Sequence, residues 1–258
     1  MTRKFGATIS SVQEYLDVIQ KVKDNQESVG NKADLIFRGQ CEDKPLLPKL
    51  ARLAKESLLN GTIQNVEKLI LNEFERNYLP LSEFKPANDW DLMALAQHYG
   101  LPTRLLDWSY SALIALWFAV KRPGKEREDK SYSDGVVWIL ATKTEDFRTI
   151  RKDKTPFDVK ATKVFRSTVV SRRISSQIGL FTLHLIEKTG KVYKFETTKE
   201  FKERLIKITI QSSNFAKLRK QLDILGVNHA TVFPDLGGLC DHLEWRFSKY
   251  EDERLYRK

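Results

Sequence analysis

The sequence predicts an α+β fold, with a helical N-terminal half packed on a mixed, mostly antiparallel β half and a C-terminal helix. Three observations lead there. Helical spacing of apolar residues dominates before Val120, and short β-type runs bounded by turn residues dominate after Gly135. Ala112–Val120 is apolar all the way round, as a buried helix should be. Its length falls far below the roughly 18 residues that cross a membrane. Leu239–Lys258 is charge-laced and amphipathic, a third helical signal. With 258 residues, 41% of them hydrophobic, there is chain enough for one real core. The reading is one domain, 1–258, with a helical lobe over about 1–130, a β-rich lobe over about 131–240 and a helix over 239–258.

Taken in order, Ser11 and Glu14 have capping-box spacing, and Val12, Tyr15, Leu16, Ile19 and Val22 continue a helix to about Lys23. Ala33–Phe37 is a short β-type run ending in Arg38-Gly39. Leu46–Leu59 and Val66–Tyr78 are two further helices. Asp89 is the expected N-cap of Leu92–Tyr99, and Gly100 with Pro102 its stop. Gly100–Ser109 then joins this helix to Ala112–Val120. Gly135–Ala141, Gly179–Leu185, Val192–Phe195, Leu205–Ile210 and Thr231–Phe233 are the strand candidates. Asn214–Leu225 is a helix stopped by Gly226.

Between the two greasy helices stand Gln97, His98, Thr103, Arg104 and Asp107. Polar groups placed there must bond to one another or cost several kcal/mol each. An Arg104–Asp107 pair would meet that need as a structural staple. His98 reads equally as a core or a functional histidine. Arg38 offers a planar fork of donors for phosphate or carboxylate, and Gly39 beside it lets backbone approach a ligand. A surface salt bridge beside a turn glycine is the bland reading of the same pair.

The string His98-Tyr99-Gly100-Leu101-Pro102-Thr103-Arg104-Leu105-Leu106-Asp107-Trp108 resembles the FRG domain, a bacterial and phage family named for a Phe-Arg-Gly motif. That motif stands here as Phe37-Arg38-Gly39-Gln40. Arg173–His184 and Phe233–Gly238 are similar to the family as well, so the resemblance runs from about Leu35 to Leu239. The order of elements also resembles the ADP-ribosyltransferases. That resemblance implies an ADP-ribosyltransferase-like fold with NAD as substrate, acting on nucleic acid or protein in a defence or toxin setting. It implies Arg38 on a pyrophosphate or ribose, Gln177 and Phe181 lining the pocket, and Asp235 as the acid. The chain has no Glu-x-Glu or Gln-x-Glu strand and no Ser-Thr-Ser triplet; Ser175-Ser176 stands in its place. Arg38, His98, Gln177 and Asp235 are expected to meet in one pocket. Each lies beside a glycine or proline at an element end. Arg38, His98 and Asp235 form the catalytic set, with Gly39, Gln40, Tyr99, Arg104, Gln177, Phe181 and His184 as substrate-binding residues.

Lys and Arg total 44 against 34 Asp and Glu, a net charge of +10 that favours anionic partners. Phe147–Ile174 carries much of it, including Arg148, Arg151, Lys152, Lys154, Arg172 and Arg173. It reads as a solvated charged face or as a loop that attracts nucleic acid. The alternative to an enzyme is accordingly a non-catalytic nucleic-acid or nucleotide-binding module. Two cysteines make no disulfide framework, and four scattered histidines give no metal-site spacing. The first residues lack the apolar core of a signal peptide, so a cytoplasmic protein is expected. Phosphate-loop, dinucleotide, zinc-protease and serine-hydrolase motifs are absent.

Overall fold

The structure, a computed structural model, describes residues 3–5, 9–28, 34–53, 61–82, 84–128, 131–149, 152–168 and 176–254. Its strands are β1 (Arg3–Phe5), β2 (Leu35–Gln40), β3 (Leu105–Ser109), β4 (Gly135–Ala141), β5 (Lys163–Phe165), β6 (Gly179–Leu183) and β7 (Leu205–Ile210). They form one sheet in the order β1-β7-β4-β2-β3-β6-β5. β1 runs parallel to β7, and the other pairings are antiparallel. The sheet therefore draws β2 and β3 out of the helical half and sets them at its centre. The helices are α1 (Val12–Ser28), α2 (Ile63–Asn77), α3 (Asp89–His98), α4 (Ala112–Val120), α5 (Phe215–Ile224), α6 (His229–Val232), α7 (Leu236–Ser248) and α8 (Glu251–Arg254). Among the described residues no helix is long and apolar enough to cross a membrane.

Alternation along the strands sorts their side chains into two cores. On one face Phe37, Val137, Ile139, Ile206 and Ile208 pack under α1, α4 and α5, against Tyr15, Leu116 and Phe215. Beside them α2 and α3 cover Leu105, Phe181 and Leu183 with Leu71, Trp90 and Met93. The opposite face buries Ile36, Leu106, Trp108, Trp138 and Leu180 under Leu46, Phe195 and Phe201, which come from turns and loops. With both faces covered, all seven residues of β4 are buried. That is why it reads as an unbroken apolar run.

The helices expected around α1, α2, α3, α4 and α5 are present with shifted ends. Ser11 Oγ accepts from Glu14 N–H, but the Glu14 carboxylate reaches back to Ser10 rather than to Ser11. Asn88, not Asp89, caps α3, accepting from Trp90 N and Asp91 N. α4 is capped by Ser111 and buries Ile114, Leu116, Trp117 and Val120. Gly226, at φ +78°, ends the turn after α5.

Several expected elements are different. Arg38, Gly39 and Gln40 lie inside β2 rather than beyond its end. Gly100–Ser109 is not merely a joint, because its second half is β3, a strand buried on both faces except at Asp107. Leu46–Leu59 gives only the 3-10 turn Leu50–Arg52 among its described residues, since 54–60 lie outside them. Val192–Phe195 forms no strand, and the 3-10 turn Phe195–Thr197 follows instead. Thr231–Phe233 is largely helical: Asn228 and Thr231 cap one another reciprocally across α6, which outweighs the β preference of Thr and Val. The C-terminal helix breaks at Lys249, at φ +60°, before α8. Its ties are strong. Arg219 of α5, buried, bonds Asp252, Glu253 and the Val120 carbonyl.

Candidate active site

β2 and β3 touch as a ladder at one pair of residues only, Phe37 and Ser109. β2 continues to pair with β4 as far as Gln40, and β3 with β6 as far back as Leu105. From Arg38 and Trp108 onward the two central strands therefore part. A side chain closes the gap: Arg38 Nη1 donates to the Asp107 carbonyl at 2.7 Å, taking the place of a missing ladder bond. Over this split lies a cleft of about 350 Å³, within the range of small-molecule sites.

Three elements furnish it. The C-terminal end of α3 supplies Gln97, His98 and Gly100; α4 supplies Ala115 and Phe118; the entry to β6 supplies Gln177. Its floor is Phe37, Arg38, Gly39, Asp107 and Ser109. Asp107 Oδ2 sits 3.8 Å from Arg38 Nη1, with side chains 56% and 18% exposed. It also accepts from Gln97 Nε2 at 3.1 Å. Gln97 is itself oriented, because its Oε1 takes the Thr103 hydroxyl proton at 2.6 Å. Thr103 is fully buried and accepts in turn from Leu105 N. The Asp107 carboxylate is thus held by a chain of bonds rooted in the core. Burial holds the Arg38 guanidinium below its ordinary value; Asp107 opposes that shift and Arg52 adds to it. Among the described residues the buried Arg38 Nε–H has no acceptor.

Gly39 serves packing as much as the cleft. A Cβ there would lie 1.8 Å from the Ala115 carbonyl oxygen, so only glycine lets α4 rest on β2. Gln177 reaches the Val232 carbonyl through Nε2 at 3.3 Å, and its own carbonyl accepts from Ser109 Oγ at 2.6 Å. His98 lies edge-on to Tyr99, with ring centroids 5.0 Å apart.

Arg38, Gly39, His98 and Gln177 thus line the one cleft, as expected from sequence. Asp235 does not line it. Its carboxylate caps α7, accepting from Gly238 N at 2.8 Å. Arg104 does not bond Asp107; it points away from the cleft into a buried pair with Glu67. Gln40 accepts from the Trp138 indole, and Tyr99 is 60% exposed at the end of α3. Phe181 stacks on Phe165 in the core. His184 is buried against Phe195 and bonded to Thr182. Of the basic segment, Arg148 lies over the Trp90 ring at 4.5 Å. Lys152 and Lys154 are exposed, while Arg151, Arg172 and Arg173 lie outside the described residues.

Asp107, expected from sequence as a structural partner of Arg104, is instead a cleft carboxylate. Its signal was the two-residue spacing of Leu105, Asp107 and Ser109, which puts them on one face of a strand. The arrangement offers an anion-seeking fork, a fixed carboxylate and several amide or imidazole groups around one small space. Among the described residues no three His, Cys, Asp or Glu side chains gather as metal ligands would.

No curated protein and no solved structure matches the chain. A family model, that of the FRG domain, matches residues 33–128. That stretch contains β2, α3, β3 and α4, and with them Arg38, His98 and Asp107. Residues 33–128 are similar to the FRG domain family, and this shared stretch supplies most of the cleft.

Proposed function

We propose that the cleft binds NAD and that the chain cleaves its nicotinamide–ribose bond, passing ADP-ribose to an acceptor. The observation that carries this reading is Asp107, a cleft carboxylate held by Gln97 beside the Arg38 guanidinium. When the glycosidic C–N bond breaks, its electron pair leaves with neutral nicotinamide. The ribose carbon becomes oxocarbenium-like, and a preorganised carboxylate stabilises that charge. Arg38 supplies the fork for the phosphates. His98 and Gln177 give orienting hydrogen bonds, and Phe118 offers an apolar wall. A cleft of about 350 Å³ suits the reacting half of a dinucleotide, with the remainder at its mouth. The acid in this reading is Asp107 and not Asp235, because Asp235 is engaged at the helix cap. The net charge of +10 supports an acidic or nucleic-acid acceptor.

The test is incubation with NAD labelled in the nicotinamide ring, with and without nucleic acid. Release of labelled nicotinamide that Asp107→Asn abolishes is the expected result. Binding of NAD without release would turn the reading to a nucleotide-binding module. Absence of binding would end it.

A further inference from the structure

We propose that Lys49 and Arg52, on the 3-10 turn beside the cleft, form a second anion subsite with Arg38, selective for a diphosphate group. The turn is docked on the cleft wall by two bonds. Leu50 N donates to the Thr103 carbonyl at 3.2 Å, and Lys49 Nζ donates to the Gly100 carbonyl at 2.7 Å. Gly100 lines the cleft, so the Lys49 ammonium sits at its edge. Lys49 and Arg52 are both exposed, and Arg52 lies near enough for its charge to act on Arg38.

Arg52 N donates to the Lys49 carbonyl at 3.1 Å, so one turn brings two further cations to the side of the cleft where Arg38 and Asp107 lie. Like charges held close cost free energy unless an anion comes between them. A second sign is the buried Arg38 Nε–H, which has no acceptor among the described residues. Two arginine forks and a lysine suit a group carrying two or more negative charges. A diphosphate meets that need better than a single carboxylate. Nucleoside diphosphates, dinucleotides and free pyrophosphate share this chemistry. The subsite rests on the same cleft as the NAD reading but requires no bond cleavage.

Calorimetric titration with inorganic pyrophosphate, ADP and adenosine tests it. Pyrophosphate and ADP should bind and adenosine should not. The Lys49→Gln/Arg52→Gln variant should weaken both by about tenfold or more and flatten their salt dependence. Lys49→Arg/Arg52→Lys, which keeps both charges, should retain most of the affinity. Wild-type protein that ignores pyrophosphate, or a neutralised variant that binds it equally well, overturns the proposal. Pyrophosphate binding without NAD cleavage would sink the NAD chemistry alone. NAD cleavage with an unchanged KM in the neutralised variant would sink the subsite alone.

Discussion

Arg104 and Glu67 face one another in the interior, with side chains only 5% and 0% exposed. Arg104 Nε donates to Glu67 Oε2 at 2.7 Å, and the Arg104 backbone N–H to Oε1 at 3.1 Å. Both carboxylate oxygens are engaged, so the pair secures the turn that leads into β3 to the middle of α2. Phe157 adds a ring 5.5 Å from the Arg104 guanidinium.

Breaking this pair from one side should leave a buried charge without compensation. Arg104→Met is expected to cost about 3–5 kcal/mol, and so is Glu67→Leu. The double variant should recover part of that loss. Urea denaturation of the three variants measures it. Single variants costing under about 1 kcal/mol would show that the pair does not hold the turn.

Gly39→Ala should be among the most damaging small changes in the chain. The added methyl would meet Ala115 O at 1.8 Å and Ala119 N at 2.8 Å, both backbone atoms of α4. Either α4 lifts or β2 shifts, and such overpacking costs about 3 kcal/mol or more. Gly100→Ala is the contrast. Nothing lies within 4 Å of its added Cβ, so only its φ of +85° resists, at about 1–2 kcal/mol. Thermal melts should rank the two in that order.

These contacts show what could be read from the sequence. α4 and β4 were legible because both are apolar throughout, β4 buried along its whole length and α4 at six of its nine residues. The cleft residues on α3 and β2 were legible from the polar groups set into greasy surroundings. β3 was hidden because a strand covered on both faces has no alternation except at Asp107. The partner of Arg104 was hidden because it lies 37 positions earlier, on α2. Asp235 was misassigned although its position at the start of α7 is an ordinary cap signal. Phe181 and His184 lie on or beyond β6, whose Leu180–Leu183 run is wholly buried, so no side chain there faces solvent.

His184 predicts a pH dependence. Thr182 Oγ1 accepts from Trp108 Nε1 at 2.9 Å and shares a hydrogen bond with His184 Nε2 at 3.2 Å. The buried ring is neutral at neutral pH. Burial, with the Arg38 charge adding to it, pushes its pKa down from 6.5 to about 3. The unfolded chain then takes up a proton first, and this stability is present above pH 6.5 and lost as pH falls toward about 3. The slope from this group approaches about 1.4 kcal/mol per pH unit. Urea midpoints at several acidic pH values, compared with His184→Gln, isolate it from the carboxylates. The variant should lose less stability on acidification; parallel losses would count His184 out.

Asp107 and Asp235 should separate activity from stability. Asp107 is more than half exposed, and its carboxylate bonds Gln97 Nε2 and lies 3.8 Å from Arg38. Asp107→Asn keeps the size and an acceptor oxygen but removes the charge. Nicotinamide release should fall by about 10²-fold or more, as it does when one preorganised electrostatic group is lost. Its melting temperature should stay within a few degrees of the parent, since an exposed ion pair contributes about 0–1 kcal/mol. Asp235→Ala should do the reverse. It removes the side chain that caps α7 through Gly238 N, which costs about 1 kcal/mol, and leaves turnover unchanged. Melting curves and nicotinamide release on the two variants decide between the roles. Turnover lost with Asp235→Ala but kept with Asp107→Asn would return the acid's part to Asp235 and leave Asp107 a brace for Arg38.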